Sequence, residues 1–322
     1  MPVHIANPIG LLRLWGSFVK VSHTLFALPF ALAAMVLAAR STHGWPGWRL
    51  FALIVLAMVC ARTCAMAFNR IVDRRFDALN PRTAGRHLPA GQISLASASC
   101  LCLLSAVGFL AVTYSINRLC FFLSPGALVV VCFYSLTKRF TDFTHVWLGV
   151  ALALAPIGAW LAVTGRLEWL PRVDGHLDLA KSIAVPLTLA LAIVFWLVGF
   201  DIIYATQDYE FDRRHGLHSL VVRWGPMNAL KVALLAHLIM WLILIGFGVL
   251  ARFRLAYWMA MFVIAALLLL EHILARRRDT ASINAAFFKL NAVVSSLFLA
   301  AVTVEVVFPW FRLHWAPGTT LY

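Results

Sequence analysis

Acidic residues are scarce: the 322-residue chain holds 13 Asp and Glu against 27 Lys and Arg, and only 12% of it is charged. With 62% of the residues hydrophobic, a soluble globule is excluded, because no soluble core needs so much apolar surface. Length alone would suggest two soluble domains, but no connecting segment is long enough to hold one, so a single domain over 1–322 is expected. Low-complexity tracts are absent. No Cys/His spacing matches a zinc site. All six cysteines, Cys60, Cys64, Cys100, Cys102, Cys120 and Cys132, fall inside apolar runs, where thiols behave as small hydrophobes rather than as disulfide or metal ligands. The first seventeen residues contain Arg13 but lack the apolar core and small-residue cleavage site of a signal peptide, so no cleaved signal is expected.

What is present is a series of apolar runs of bilayer-spanning length, at 20–39, 49–68, 93–115, 118–137, 144–164, 183–205, 229–250, 256–275 and 286–308. The fold class expected is all-α, a polytopic transmembrane bundle of about nine helices, with 115–118 making a tight hairpin of the third and fourth. With the amino terminus inside, most of the Lys and Arg fall in the inner segments, which supports that orientation. The basic excess is therefore read as a topology signal; the expected partner is the lipid bilayer, with no nucleic acid and no obligate protein partner. In a bacterium the location would be the cell inner membrane, with the polar segments facing the cytoplasm. The longest outer loop, 165–182, contains Glu168, Asp174, His176 and Asp178, which read as scattered acids around Pro171 rather than as a metal cluster. Trp310 and Trp315 suit the interface where a last helix leaves the membrane.

The second apolar run leads into RTCAMAFNRIVDRRFDALNPRTAGRHLPAG, from Arg62 to Gly91. Asn69, Asp73 and Asp77 recur every four residues, so a continuing helix stacks them on one face, and Arg62, seven residues earlier, lies deeper on that face. Arg70, Arg74, Arg75, Arg82 and Arg86 accompany the carboxylates. Such a mixture suits a metal-bound polyanion: carboxylates hold Mg²⁺ through one or two oxygens, phosphates complete its shell, and Arg clamps the remaining phosphate oxygens.

The sixth run ends DIIYATQDYEFDRRHGLHSL and repeats the design. Asp208 and Asp212 are four apart on one helical face, with Asp201 seven residues deeper. Parity puts both stretches on the same side of the membrane. Five of the 13 acids, Asp73, Asp77, Asp201, Asp208 and Asp212, are gathered there. Like charges in one cavity repel and invite a divalent cation. A solvated inner loop with topology-setting Arg would explain either stretch alone, but not the matching spacing of two. A third inner segment, FYSLTKRF, adds Tyr134, Lys138 and Arg139 as positive-inside residues or anion ligands. Arg62 and Asp201 stand out because ionisable groups at membrane depth normally face a cavity. Glu271, His272 and Glu305 could also lie deep and are given no role.

Taken together, these residues resemble the UbiA superfamily of intramembrane prenyltransferases. Arg62, Asn69, Asp73 and Asp77 meet its Arg and NxxxDxxxD pattern. Arg82, Thr83, Arg86, Leu88, Pro89 and Gly91 meet RTxxRxLPxG; Tyr134, Lys138 and Arg139 meet YxxxKR; and Asp201, Tyr204, Ala205, Asp208 and Asp212 meet DxxYAxxDxxxD. The resemblance covers nearly the whole chain. It implies Mg²⁺-dependent transfer of a polyprenyl group from its diphosphate to a second substrate, with two metals held between the motifs on Asn69, Asp73, Asp77, Asp208 and Asp212. Arg82, Arg86 and Lys138 would take the diphosphate, and Arg139 or Arg62 an acceptor carboxylate. Asp201 would stabilise the allylic cation or orient a phenol, with Lys20, Tyr134 and Tyr204 also lining the substrate site.

The first apolar run reads VKVSHTLFALPFALAA, with Lys20 and His23 where 4-hydroxybenzoate enzymes of this family often carry an Arg-containing segment. Two aromatic acids therefore stand as acceptors: 4-hydroxybenzoate, of ubiquinone-type synthesis, placed first, and 1,4-dihydroxy-6-naphthoate, of menaquinone synthesis. Other classes remain in view. A transporter of an anionic or phosphorylated solute would need a polar path and broken helices in matching places, and Pro156 and Pro186 do not correspond. A membrane phosphatase would need an activating His near the acids, and His87 and His215 are nearby.

Overall fold

The computed structural model describes residues 8–20, 24–173, 176–277, 279 and 283–308. Among them, eight helices are long and apolar enough to cross a membrane, which fits a multi-pass membrane protein. The first long one, α3 (Trp48–Leu79), is preceded by α1 (Pro8–Phe18) and α2 (Thr24–Ala38). The expected span at 20–39 is therefore corrected: α2 is 15 residues long, and Lys20 lies before it in a left-handed turn (φ 53°). His23, Asp174, Trp310 and Trp315 lie outside the described residues.

At 32 residues, α3 is about 48 Å long at 1.5 Å per residue, whereas the hydrocarbon layer is about 30 Å thick. Its carboxyl-terminal turns must project past the apolar layer, and these turns carry Asp73 and Asp77. The helix continues through the polar stretch as the four-residue spacing requires, ending at Asn80, whose backbone N–H bonds Phe76 O. Next come α4 (Leu95–Ile116) and α5 (Arg118–Phe133). Asn117 joins them as a tight hairpin: its side chain accepts from Cys120 N (2.8 Å) and donates to Leu161 O (3.0 Å). A 3₁₀ turn, Tyr134–Arg139, then leads into α6 (Thr144–Thr164).

After a short antiparallel strand pair, β1 (Arg172–Val173) with β2 (His176–Leu177), comes α7 (Ala184–Ala205), the helix most enclosed by others. Neither Pro156 within α6 nor Pro186 in the first turn of α7 breaks its helix. The sixth run departs from a continuous helix, however. A 3₁₀ turn, Thr206–Asp208, separates α7 from α8 (Tyr209–Arg214), so Asp201, Asp208 and Asp212 do not share one uninterrupted α-helical face. The chain then forms α9 (Leu220–Leu250), α10 (Leu255–Ala275) and α11 (Asn291–Val307), the last preceded by a π turn at Ala285–Leu290. The expected span at 229–250 starts a good two turns earlier, at Leu220, and bends where Gly225 (φ 74°) precedes Pro226.

Packing follows from shape. Trp196 and Phe200 on α7, Phe30 on α2, Phe247 on α9 and Phe298 on α11 are buried together in one hydrophobic core. Leu103, Leu104, Phe122, Val249 and Phe262 point outward and exposed, an apolar exterior that suits lipid rather than water. Between α2, α3, α4, α5, α6 and α7 the helices leave a cavity of about 820 Å³.

Candidate active site

The cavity is polar at one end and apolar along the rest. Its polar end is lined by Lys20, Arg62, Asn69, Asp73, Asp77, Arg82, Arg86, Tyr134, Lys138, Arg139, Asp201, Tyr204, Asp208 and Asp212. Thus every site residue singled out in the sequence reaches one space, although the α7–α8 break changes how the second motif gets there. The tighter 3₁₀ turn rotates Asp208 and Asp212 relative to Asp201 without removing any of the three from the wall. Of the accompanying arginines, Arg70, Arg82 and Arg86 line the cavity, whereas Arg74 and Arg75 do not; Arg74 bonds back to Ile71 O at 2.8 Å.

The two motifs interlock through ion pairs. Arg82 Nε donates to Asp208 Oδ1 at 2.8 Å, and its terminal nitrogen pairs with Oδ2 in a bidentate clamp. The same guanidinium donates to Tyr204 Oη at 2.9 Å and lies over the Tyr204 ring. Asn80, which the sequence did not single out, donates to Asp208 Oδ1 at 3.1 Å and accepts from Arg82 N at 3.0 Å, so one amide sets both partners. Arg86 pairs with Asp77 at 2.6 Å and Lys138 with Asp212 at 3.1 Å. Arg139 bonds Val72 O at 2.7 Å, and its contact with Asp73 is longer, 3.5 Å. Asn69 donates to Asp73 Oδ2 at 2.9 Å.

Two residues deeper in the cavity differ. Arg62 makes no ion pair among the described residues, and its Nε is buried without a hydrogen-bond partner. Asp201 pairs with His145, Nδ1 to Oδ2 at 2.7 Å. His145 carried no signal in the sequence, because its partner lies 56 positions away. Glu305 lies elsewhere, capping α10 by accepting from Arg254 N and Tyr257 N. Glu271 accepts from Asn291, and His272 meets His237 at 3.0 Å, also away from the cavity.

Electrostatics at the rim favour an anion. Lys20 has its pKa lowered by partial burial and by Arg70, Arg86 and Arg82, which crowd positive charge around it. Burial works against the Arg82 cation, but Asp208 and Tyr204 outweigh it and hold its pKa above the ordinary arginine value. Neither His87 nor His215 is placed for hydrolytic chemistry. His87 contacts Ser17 Oγ, His215 stacks on Phe211, and neither lines the cavity.

The donor set also fits a hard divalent cation. It consists of carboxylate and amide oxygens on two facing helix ends, and Asp77 Oδ2 is buried without a hydrogen-bond partner. Among the described residues no three His, Cys, Asp or Glu side chains form a ready-made cage.

Residues 27–293 match the UbiA prenyltransferase family. The chain is 29% identical over 296 residues to the 4-hydroxybenzoate octaprenyltransferase of Tolumonas auensis, covering 91% of each. Its fold superposes on a UbiA homologue from Aeropyrum pernix K1 with a TM-score of 0.75 and 28% identity, covering 88% of this chain and 98% of that one. A UbiA homologue from Archaeoglobus fulgidus, solved with GPP and Mg²⁺, shares the fold with a TM-score of 0.68 at 22% identity, covering 91% and 99%.

Proposed function

Because this chain belongs to the UbiA prenyltransferase family, we propose that it transfers a polyprenyl group from its diphosphate to an aromatic acid, 4-hydroxybenzoate, in ubiquinone-type quinone synthesis. The observation that carries the reading is the single cavity that joins a cation- and carboxylate-lined mouth to a long apolar interior. A diphosphate fits the first and an isoprenoid tail the second.

In this reading Asn69, Asp73, Asp77, Asp208 and Asp212 would hold Mg²⁺, whose charge would offset that of the diphosphate and make it a better leaving group. Arg82, Arg86 and Lys138 are the protein's own contribution to the same charge, and Lys20 adds to it at the rim. Their pairing with the aspartates keeps them preorganised at the mouth, so little side-chain ordering is left for the moment of reaction. Arg139, tied to Val72 O and close to Asp73, belongs with this group. As the allylic C–O bond breaks, the electron pair leaves with the diphosphate, and the apolar interior keeps water from trapping the cation. Ile54, Met58, Leu148 and Leu152 supply that dry wall.

The acceptor's carboxylate is assigned to Arg62. This cation lies deep, faces the cavity and has a buried Nε with no partner, an arrangement that an incoming carboxylate would satisfy. Asp201 then meets the phenolic end of the acceptor, and Tyr134 and Tyr204 help shape the ring site. The relatives named 4-hydroxybenzoate octaprenyltransferase support this acceptor over dihydroxynaphthoate. By the positive-inside bias, the mouth opens to the cytoplasm, in the inner membrane of a bacterium.

The decisive assay uses purified protein in detergent with Mg²⁺ and a long-chain allylic diphosphate, and offers each aromatic acid separately. Mass spectrometry should find prenylated 4-hydroxybenzoate. Product with dihydroxynaphthoate alone would move the protein to menaquinone synthesis, and product with neither would overturn the aromatic acceptor.

A further inference from the structure

We infer that His145 is a positioning residue for the acceptor: it holds Asp201 so that one carboxylate oxygen is fixed to the protein and the other is left for the substrate's phenolic group. The inference rests on the proposed aromatic-acid reading, and three observations carry it. First, His145 is fully buried, and its Nδ1 lies 2.7 Å from Asp201 Oδ2, while Asp201 lines the cavity. Secondly, His145 Nε2 is buried with no hydrogen-bond partner. A proton on Nε2 would leave a buried donor unsatisfied and turn the Nδ1 lone pair toward a carboxylate, so the proton belongs on Nδ1, which donates to Asp201. Thirdly, the two helices are locked at this place. One turn beyond His145, Gly149 lies so close to α7 that a Cβ would stand 2.9 Å from Val194 O.

The first turn of α6 is anchored as well. Thr144 Oγ1 meets Thr137 Oγ1 at 2.7 Å, and Thr137 donates to Tyr134 O, so His145 is tied to the same turn that presents Lys138. His145 therefore connects the diphosphate-facing turn to the acceptor-facing carboxylate without itself lining the cavity. Among the described residues the Asp201 carboxylate has no hydrogen-bond partner besides His145. Without the imidazole, its carboxylate would rotate freely about χ1 and χ2 and lose its aim.

The test compares wild type with His145→Leu and His145→Asn, the latter placing an amide donor near the Nδ1 position. Rates are measured with 4-hydroxybenzoate and with the dihydroxy acid while each substrate is varied in turn. His145→Leu should lower kcat/KM for the aromatic acid by about 10²-fold, the size expected of a misplaced positioning group, with the diphosphate KM held within about twofold. His145→Asn should recover most of the loss. Near-normal kinetics in His145→Leu, equal changes in both KM values, or an Asn variant no better than Leu would overturn the inference. Should the Leu variant not fold, a cycle of His145→Ala and Asp201→Asn decides: the double variant should be no worse than Asp201→Asn alone, and additive losses would overturn the inference. A wild type that prenylates neither acid removes the proposed function, and this inference with it. A wild type that works while His145 proves indifferent removes the inference only.

Discussion

Arg82 and Asp208, 126 positions apart, form the bidentate contact that joins the two acid-rich motifs across the mouth of the cavity. The pair is partly buried and shares Asn80 and Tyr204, so it is a network rather than a surface ion pair. Removing Asp208's charge should therefore do two things: release Arg82 from its register and remove a ligand of the proposed metal. Asp208→Asn is expected to lower turnover by at least about 10²-fold while the protein still inserts and purifies. Steady-state assay beside size-exclusion chromatography checks this, and near-normal turnover of a well-folded variant would count against the metal assignment.

The metal can be separated from the arginines. Chelation of divalent ions should abolish turnover, and added Mg²⁺ should restore it. In Asp77→Asn, which alters the buried carboxylate whose Oδ2 has no partner, the Mg²⁺ concentration for half-maximal rate should rise by about 10–100-fold. Titration of Mg²⁺ against initial rate gives the answer, and an unchanged midpoint would move the ion away from this helix end.

Arg62 and Arg139 should part company kinetically. Arg62→Ala removes the deep cation with the unpartnered Nε and should raise the acceptor KM by about tenfold or more, with a much smaller effect on the diphosphate KM. Arg139→Ala, losing the bond to Val72 O and the contact with Asp73, should show the reverse pattern. Exchange of the two patterns would exchange the two assignments.

Much of this site was legible in the sequence because α3 does what its spacing demands. A helix that continues past the apolar layer puts Asn69, Asp73 and Asp77 on one wall, and all three line the cavity. The second motif was less legible. Its four-residue spacing suggested a continuous helix, but the chain tightens into a 3₁₀ turn at Thr206–Asp208, and Asp208 reaches Arg82 from there. The extent of α2 was hidden as well, since hydropathy alone does not fix where a helix begins. His145 and Asn80 were invisible for a different reason. Each matters only through a partner far along the chain, and neither spacing nor composition encodes such a pairing.

The last prediction concerns what keeps α7 in place behind Asp201. Gly199, two residues before Asp201, faces His237 so closely that a Cβ would stand 2.1 Å from the imidazole ring. His237 has little room to yield, since it is buried, meets His272 at 3.0 Å and lies 3.2 Å from Trp196 O. Gly199→Ala must therefore push α9 away from α7 or turn His237 out of its contacts, and overpacking of this kind costs about 1–3 kcal/mol. Thermal unfolding in detergent should register the loss. Shortening the neighbour relieves the clash, so His237→Ala combined with Gly199→Ala should be less destabilised than the sum of the two single variants. Strict additivity would show that the helices tolerate the added methyl by some other adjustment. If recovery of stability in the double variant is accompanied by recovery of turnover, then the α7–α9 contact matters to the site through the placement of Asp201 rather than through any group of its own.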